Sequence, residues 1–380
     1  MRKTINIGDL GTIITGKTPP TTNKNYYGDY AVFIKPTDIS EHSKYTYETE
    51  EMYSKLAAEK YESSLIPKGA ICVPCIGTIG TKMTMTPCDC YTNQSINSII
   101  CNENYDNEYV YYLIKNFLPG LKAYNLGTAS GREYVSKSNF EKIELVAEQD
   151  KEIQKKIGVI LSRYDSLIEN YQKQIKLLEE AAQRLYKEWF IDLHFPRHEN
   201  TNIIDGVPEG WEKKKVGDIT PIITGKKDAN FGTPDGEYPF FTCSQEPIKA
   251  PSFSFDCAAV LLAGNGDFNV KLYRGRFEAY QRTYVLSPYI DSHLYLLFYT
   301  ISANMTKLAA GSSGSTIKFL TKGMIDGINL NVPNDEILRS FNKKVEPIQS
   351  SRESLQSQLR LLTEARDRLL PKLMSGEITI

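Results

Sequence analysis

The sequence predicts a mixed α/β chain: two similar, mainly-strand globular domains separated by a long antiparallel two-helix coiled coil, built as a pseudo-twofold internal repeat. Three observations lead there. Residues Ile157, Leu161, Tyr164, Ile168, Tyr171, Ile175, Leu178, Ala182, Leu185 and Trp189 follow at alternating steps of four and three, a heptad seam. Adding 184 to each number gives Phe341, Val345, Ile348, Arg352, Leu355, Leu359, Leu362, Arg366, Leu369 and Leu373, eight of the ten apolar and in the same register. The stretches before the helices repeat as well, IGDLGTIITGK at 7–17 returning as VGDITPIITGK at 216–226.

Taken in order, residues 1–148 form the first domain, 149–194 the first spacer helix, 195–210 a linker, 211–333 the second domain and 334–380 the second helix. Within the domains, Gly28, Asp29, Tyr30 and Phe33 match Gly236, Glu237, Tyr238 and Phe241, and AICVPCIGTIG from Ala70 parallels AVLLAGNGDFN from Ala259. Apolar stretches of helical spacing, Tyr109 to Phe117 and Leu294 to Ile301, each lead to a small-residue loop, GTASGRE from Gly127 and GSSGSTIK from Gly311. Strands follow at Ile143 to Val146 and Ile328 to Val332. The run FPRHENTNIIDGVPEGW is polar and turn-rich, as a linker should be. Helix one carries the chain from the first domain to the second and helix two brings it back, so the carboxyl terminus returns near the amino terminus. At about 1.5 Å per residue, some forty helical residues span roughly 60 Å, the reach of a spacer.

A net charge of -1, with no segment departing from neutrality by more than two charges, gives no domain a basic excess. If the chain binds nucleic acid, it does so through local patches and a partner's help. Seven unevenly placed cysteines argue against a disulfide framework and for a reducing cytoplasm. The amino terminus lacks a signal-peptide core, and no apolar run reaches the length of a membrane span.

Two motifs suggest chemistry that their context denies. GTIITGKT, Gly11 to Thr18, satisfies the P-loop pattern, but Pro19, Pro20, Thr21, Thr22 and Asn23 follow where a helix should open. Cys72 and Cys75, with Cys88 and Cys90, offer four thiolates, yet the second pair is wrongly spaced for a zinc ribbon, and the first maps roughly onto Leu261 and Gly264. No nucleophile, metalloenzyme or S-adenosylmethionine motif is evident, so the chain reads as non-catalytic, with no metal site. Its polar loops suit recognition instead. Asn265, Asp267, Asn269, Lys271, Arg274, Arg276, Gln281 and Arg282 are types that read base edges and hold phosphates. Thr78, Thr81, Lys82, Asn93, Gln94 and Ser95 stand at comparable places in the first domain, with Arg132 and Lys137 near its later loop. Lys17 and Lys226 of the two ITGK motifs, and Ser313 and Ser315 of the second small-residue loop, complete the candidate DNA contacts. On residues alone, a coiled-coil scaffold whose end domains bind protein stays open as the alternative.

Taken together, these features resemble the specificity (S) subunit of type I restriction-modification systems, over essentially the whole chain. The strongest segments are LLEEAAQRLYKEWFIDLHFP from Leu177 and VPEGWE from Val207. Gly16-Lys17-Thr18-Pro19, the GTIG turn at Gly77 to Gly80, the Asn93-Gln94 pair and the terminal LMSGEI add to them. The resemblance implies two target recognition domains, each reading half of a bipartite double-stranded DNA sequence, with the helices setting the separation. It implies two docked methyltransferase (M) subunits using S-adenosylmethionine to methylate adenine. Restriction (R) subunits using ATP and Mg would cleave unmodified DNA in phage defence, and no cofactor would bind this chain. Trp189, Phe190 and Phe195, near the domain end of helix one, are candidate partner anchors, with core packing as the alternative. The chain departs from the pattern in lacking, at its start, the Gly-Trp that opens the second domain.

Overall fold

A computed structural model of the chain describes residues 2–77, 79–125, 127, 133–312 and 318–380. They form two compact units, one of Met1–Lys173 with Leu355–Ile380, the other of Gln174–Ser354.

In the first unit the order is β1 (Arg2–Asn6), β2 (Gly11–Thr15), β3 (Tyr27–Ile34), β4 (Met52–Tyr53), α1 (Lys55–Lys60), β5 (Ile71–Pro74), β6 (Thr84–Met85) and β7 (Tyr91–Thr92). There follow β8 (Ile96–Cys101), α2 (Asn107–Phe117), α3 (Lys137–Glu141), β9 (Glu144–Glu148) and the start of α4 (Lys151–Tyr186). A four-stranded antiparallel sheet runs β2-β8-β5-β6, and a second runs β4-β3-β7 with β3 and β7 parallel. β5 reads ICVP and is buried along its whole length, which is why it shows no alternation. Helix α2 starts where Asp106 Oδ1 accepts from the Tyr109 amide at 3.0 Å, an N-cap. Its buried Tyr109 to Ile114 join the core formed by Ile71, Val73 and Ile99 of the sheet.

The same core takes in Ile157 and Leu161 of α4 with Leu370, Leu373 and Met374 of the last helix, α8 (Asp335–Ser375). Asp165 meets Arg366 there, so the two stretches run antiparallel, as the seam requires. Gly376, at φ +81°, closes α8 in the left-handed conformation that favours glycine. Arg2 donates to the Leu373 and Met374 carbonyls at 2.9 and 3.0 Å and faces Glu148 at 3.7 Å. The two ends of the chain therefore meet in this unit, satisfying helix-terminal carbonyls left without an intrahelical donor.

The second unit continues α4 from Gln174 through a π-helical turn, Lys187–Ile191, three residues short of the expected helix end. The expected linker is structured. Ile203–Ile204 (β10) pairs with Val207–Pro208 (β11) across Asp205-Gly206, whose φ of 50° and 77° suit a tight two-residue hairpin. Next come β12 (Glu212–Lys215), α5 (Val216–Ile219), β13 (Ile223–Thr224), β14 (Tyr238–Phe241), β15 (Ile248–Ala250), β16 (Phe255–Ala263) and β17 (Val270–Ala279). β18 (Thr283–Leu286), α6 (Leu294–Gly311), α7 (Lys322–Asp326), β19 (Asn329–Val332) and the first part of α8 complete it. The sheet order is β13-β18-β16-β17-β14-β15, with only β14 and β17 parallel. Here too the helices run antiparallel: Glu179 meets Arg352, and eleven residues on, Phe190 meets Phe341, eleven residues back.

Strand registers show how faithfully the domains repeat. β1–β9 places Asn6 opposite Glu144, and β12–β19 places Lys215 opposite Asn329. Ile14 faces Ser98 as Ile223 faces Val285, and Cys72 faces Ser98 as Leu261 faces Val285. Leu261 is thus the counterpart of Cys72, as expected. The match of Phe33 with Phe241 is off by one: in the parallel ladders Phe33 faces Tyr91, while Phe240 faces Glu278. No helix among the described residues is long and apolar enough to cross a membrane.

Candidate nucleic-acid interface

Each unit builds its candidate surface on one backbone crossing. The chain leaves β2 at Gly16 and passes the segment after β7 so closely that a Cβ on Gly16 would collide with the Thr92 carbonyl. In the second unit a Cβ on Gly225 would collide with the Ala279 carbonyl. Only glycine fits such a crossing. The crossing is a strand end, not a phosphate-cradling loop: after Thr15 no helix opens until a short turn at Lys24–Tyr26.

In the second unit three polar segments gather around the β16–β17 hairpin. Gly266, at φ +68°, turns the chain so that exposed Asp267 accepts from Gln245 Nε2 at 3.0 Å. Asn269 Nδ2 donates to the Cys243 and Asp267 carbonyls, both at 2.9 Å. Lys271 Nζ donates to the Ser244 carbonyl at 2.7 Å and also to Asn269 Oδ1. Burial lowers the pKa of that lysine, with the nearby Glu246 acting the other way. Asn265 bridges Phe319, and Gly264 donates to the Arg282 carbonyl at 2.8 Å, bringing exposed Arg282 to the same rim. Gln281 Nε2 donates to Asp228 Oδ2 at 3.3 Å, beside exposed Lys226. The Arg282 guanidinium makes no hydrogen bond or ion pair among the described residues.

Arg274 and Arg276 do not belong to this cluster. They lie four and six residues along β17 from Val270, roughly 13 and 20 Å at strand rise. Arg274 donates to the Tyr295 hydroxyl at 2.7 Å and pairs with Glu346 at 3.7 Å. Arg276 pairs with Asp256 at 3.1 Å and stacks on Phe253. The expected grouping is therefore corrected: both guanidiniums have intramolecular partners away from the hairpin tip.

In the first unit Thr81 is exposed and Lys82 half-buried, beyond the positive-φ Gly77 and Gly80. Exposed Lys17 reaches Ser63 at 3.4 Å while its carbonyl accepts from Tyr53 at 2.5 Å. Asn93 is occupied locally, its Oδ1 accepting from the Ser95 amide at 3.0 Å. Gln94 is exposed, and its Oε1 accepts from the Thr18 hydroxyl. Lys137 opens α3 and pairs with Glu141 at 3.6 Å, a contact within its own helix. Thr78, Arg132, Ser313 and Ser315 lie outside the described residues.

Cys72 and Cys75 are core residues. Cys72 Sγ lies 3.3 Å from Ser98 Oγ, Cys75 Sγ donates to the Val73 carbonyl at 3.4 Å, and burial pushes both thiols up to about 12. Among the described residues no His, Cys, Asp and Glu group is arranged to hold a metal ion.

The three aromatic residues expected at a partner surface are also internal. Trp189, Phe190 and Phe195 are 4%, 5% and 3% exposed. Phe190 packs edge-on to Phe341 and against Trp211, which in turn contacts Phe195. The seam simply continues into the core of this unit, so packing, the alternative reading, accounts for these rings.

Sequence reasoning missed the segment Thr242 to Gln245, which supplies the carbonyls holding Asn269 and Lys271. Its signal was available: Thr242, Ser244 and Gln245 are polar and directly follow the apolar strand YPFF. Asp228 was missed as well, having no counterpart beside Thr18 at the sequence level.

Comparison with known proteins then gives a consistent result. The family model described as "Type I restriction modification DNA specificity domain" matches residues 2–180 and 208–351. The chain is 26% identical over 407 residues to the type I restriction enzyme MjaIX specificity subunit of Methanocaldococcus jannaschii, covering 98% of this chain and 93% of that one. It is 36% identical over 177 residues to the EcoDI specificity subunit of Escherichia coli, a match to 46% of this chain and 40% of that protein. The crystal structure of the type I restriction-modification S subunit from M. genitalium has the same fold, with a TM-score of 0.66, 16% identity, and coverage of 98% and 96%.

Proposed function

The chain belongs to the type I restriction-modification DNA specificity family, the non-catalytic component of such systems, and from that premise we propose how it recognises DNA. Each domain reads one half of a bipartite double-stranded target, while partner subunits carry out the chemistry. One observation carries this reading. The two units share strand register, the glycine crossing and a turn at Gly77 or Gly266, yet many side chains presented from these frames differ, as Ser95 does from Arg282 and Asn93 from Tyr280. Conserved framework with divergent loops is what two unlike half-sites demand of one duplicated reader.

The helices repeat without a gap because two identical methyltransferase (M) subunits dock on them, and the helices set the spacing between half-sites. S-adenosylmethionine belongs to those partners, as ATP and Mg belong to the restriction (R) subunits. This chain supplies orientation and choice, with base contacts made from the hairpin-tip loops and phosphate contacts from lysines such as Lys17 and Lys226. A net charge of -1 means that these local contacts act with the partners' charge, not through a field of the whole chain.

Single-molecule sequencing of methylated adenines, in cells carrying this chain with its methyltransferase partner and in cells lacking only this chain, tests the reading. A split motif that disappears with the chain supports it. Unchanged methylation, with no sequence-selective DNA binding by the purified assembly, refutes it. Adding one heptad to both α4 and α8 should widen the methylated spacing by about 10 Å, roughly three base pairs. An unaltered spacing defeats the ruler role alone.

A further inference from the structure

Gln94 and Gln281 hold the same place in the two units, although the offset that pairs them, 187, is not the 209 that pairs Ile14 with Ile223. The Gly16 amide donates to the Ile96 carbonyl at 3.2 Å, and the Gly225 amide to the Thr283 carbonyl at 3.1 Å. In each unit an exposed glutamine stands two residues before that carbonyl, beside an exposed lysine, Lys17 or Lys226. A glutamine raised on a rigid crossing next to a cation has the composition of a base-edge reader with its phosphate anchor.

Both amides are tethered, but not equally. Asp228 Oδ2 accepts from Gln281 Nε2 at 3.3 Å. A carboxylate only accepts, so the amide nitrogen must face it. That fixes the Gln281 carbonyl outward, with its second N–H alongside. Gln94 Oε1 instead accepts from Thr18 Oγ1. A hydroxyl donates or accepts by rotating, so this tether holds the side chain without dictating which end faces out.

We propose that Gln94 and Gln281 are corresponding base-reading residues, one for each half-site, and that Asp228 makes Gln281 selective for adenine. An outward carbonyl beside an N–H complements the N6 donor and N7 acceptor of adenine in the major groove. Guanine offers two acceptors at those positions and leaves the carbonyl unpaired. Gln94, able to turn, discriminates less between the two purines. This inference rests on the reading of the chain as a DNA specificity subunit.

The test uses the chain assembled with its methyltransferase partner and selects bound duplexes from a randomised pool. Gln281→Ala should relax one adenine position in one half-site, lowering its discrimination about tenfold or more. Gln94→Ala should relax one position in the other half-site only. Asp228→Asn, whose amide accepts or donates, should admit guanine at the Gln281 position. Thermal midpoints within a degree or two of wild type show that these exposed changes leave the fold intact. Variants that keep the wild-type motif, relax the same half-site, or weaken all sequences equally overturn the proposal. So does a relaxed Gln281 position that was never adenine. A wild-type assembly that selects no split motif refutes the underlying assignment instead.

Discussion

Arg366 reaches across from α8 to Asp165 of α4 at 2.6 Å, with only 11% and 5% of the two side chains exposed. The seam pattern put an arginine where the first helix has Ala182, and the structure supplies the reason. Tyr112 of α2 donates to the other carboxylate oxygen at 2.6 Å, so one aspartate links both helices to the domain. In the second unit the pair is Arg352 with Glu179, at 3.5 Å and with Glu179 40% exposed.

Asp165→Ala should therefore destabilise the first unit by about 3 kcal/mol, because it strands the buried Tyr112 hydroxyl and leaves the Arg366 guanidinium only half-exposed Asp367, at 2.8 Å, as a partner. Glu179→Ala should cost less than about 1 kcal/mol. Denaturant unfolding of the two variants checks the contrast, and equal losses would contradict it.

Gly16→Ala and Gly225→Ala place a methyl group against backbone that cannot yield, so either change should cost several kcal/mol and open the crossing. Gly77→Ala and Gly266→Ala meet no atom within 4 Å and carry only the left-handed backbone penalty, about 1 kcal/mol. Thermal unfolding of the four variants should show this ranking.

Arg282→Ala should weaken DNA binding by the assembled complex by about 1–3 kcal/mol if it touches a base, or reduce the salt slope by about one if it touches phosphate. Arg276→Ala should do neither, since its guanidinium is held by Asp256. Binding isotherms at three salt concentrations separate these outcomes.

Trp189→Ala should unfold or loosen the second unit, at about 3–5 kcal/mol, because the ring lies in its core. Loss of partner binding with unchanged stability would restore a docking role for this residue.

His293 is buried, and its pKa is lowered first by that burial and then by Lys214, with Asp335 opposing. A depressed folded pKa means the folded state resists protonation. Its contribution to stability is complete above the ordinary histidine range near 6.5 and is lost as pH falls below it. His293→Asn should flatten the loss of stability between about pH 7 and 5, read from denaturant midpoints across that range.

The helices and the repeat were legible because a heptad seam constrains every third or fourth residue and tolerates no insertion. The hairpin of the linker was not read: Asp205-Gly206 between Ile203-Ile204 and Val207 signals it, but the run as a whole is polar and turn-rich. Nor was the pairing of Gln94 with Gln281. The offset between domains is 209 from Ile14 to Ile223, 189 from Cys72 to Leu261 and 187 from Ser98 to Val285. Loops that absorb such insertions erase alignment where side chains diverge, and only hydrogen-bond register restores it. Arg274 and Arg276 were misplaced for a different reason: sequence proximity does not show that a ten-residue strand carries them away from its tip.

The first unit is closed by residues 355–380, whose Leu370, Leu373 and Met374 fill its core, and by Arg2 on the last turn of α8. The second is made from one continuous stretch, Gln174 to Ser354. On the ribosome, then, the domain that emerges first is the one finished last. Until residues 355–380 are made, Ile157 and Leu161 have no α8 to cover them, and a released fragment ending at Ser354 should show a protease-resistant second unit beside a cleavable first one.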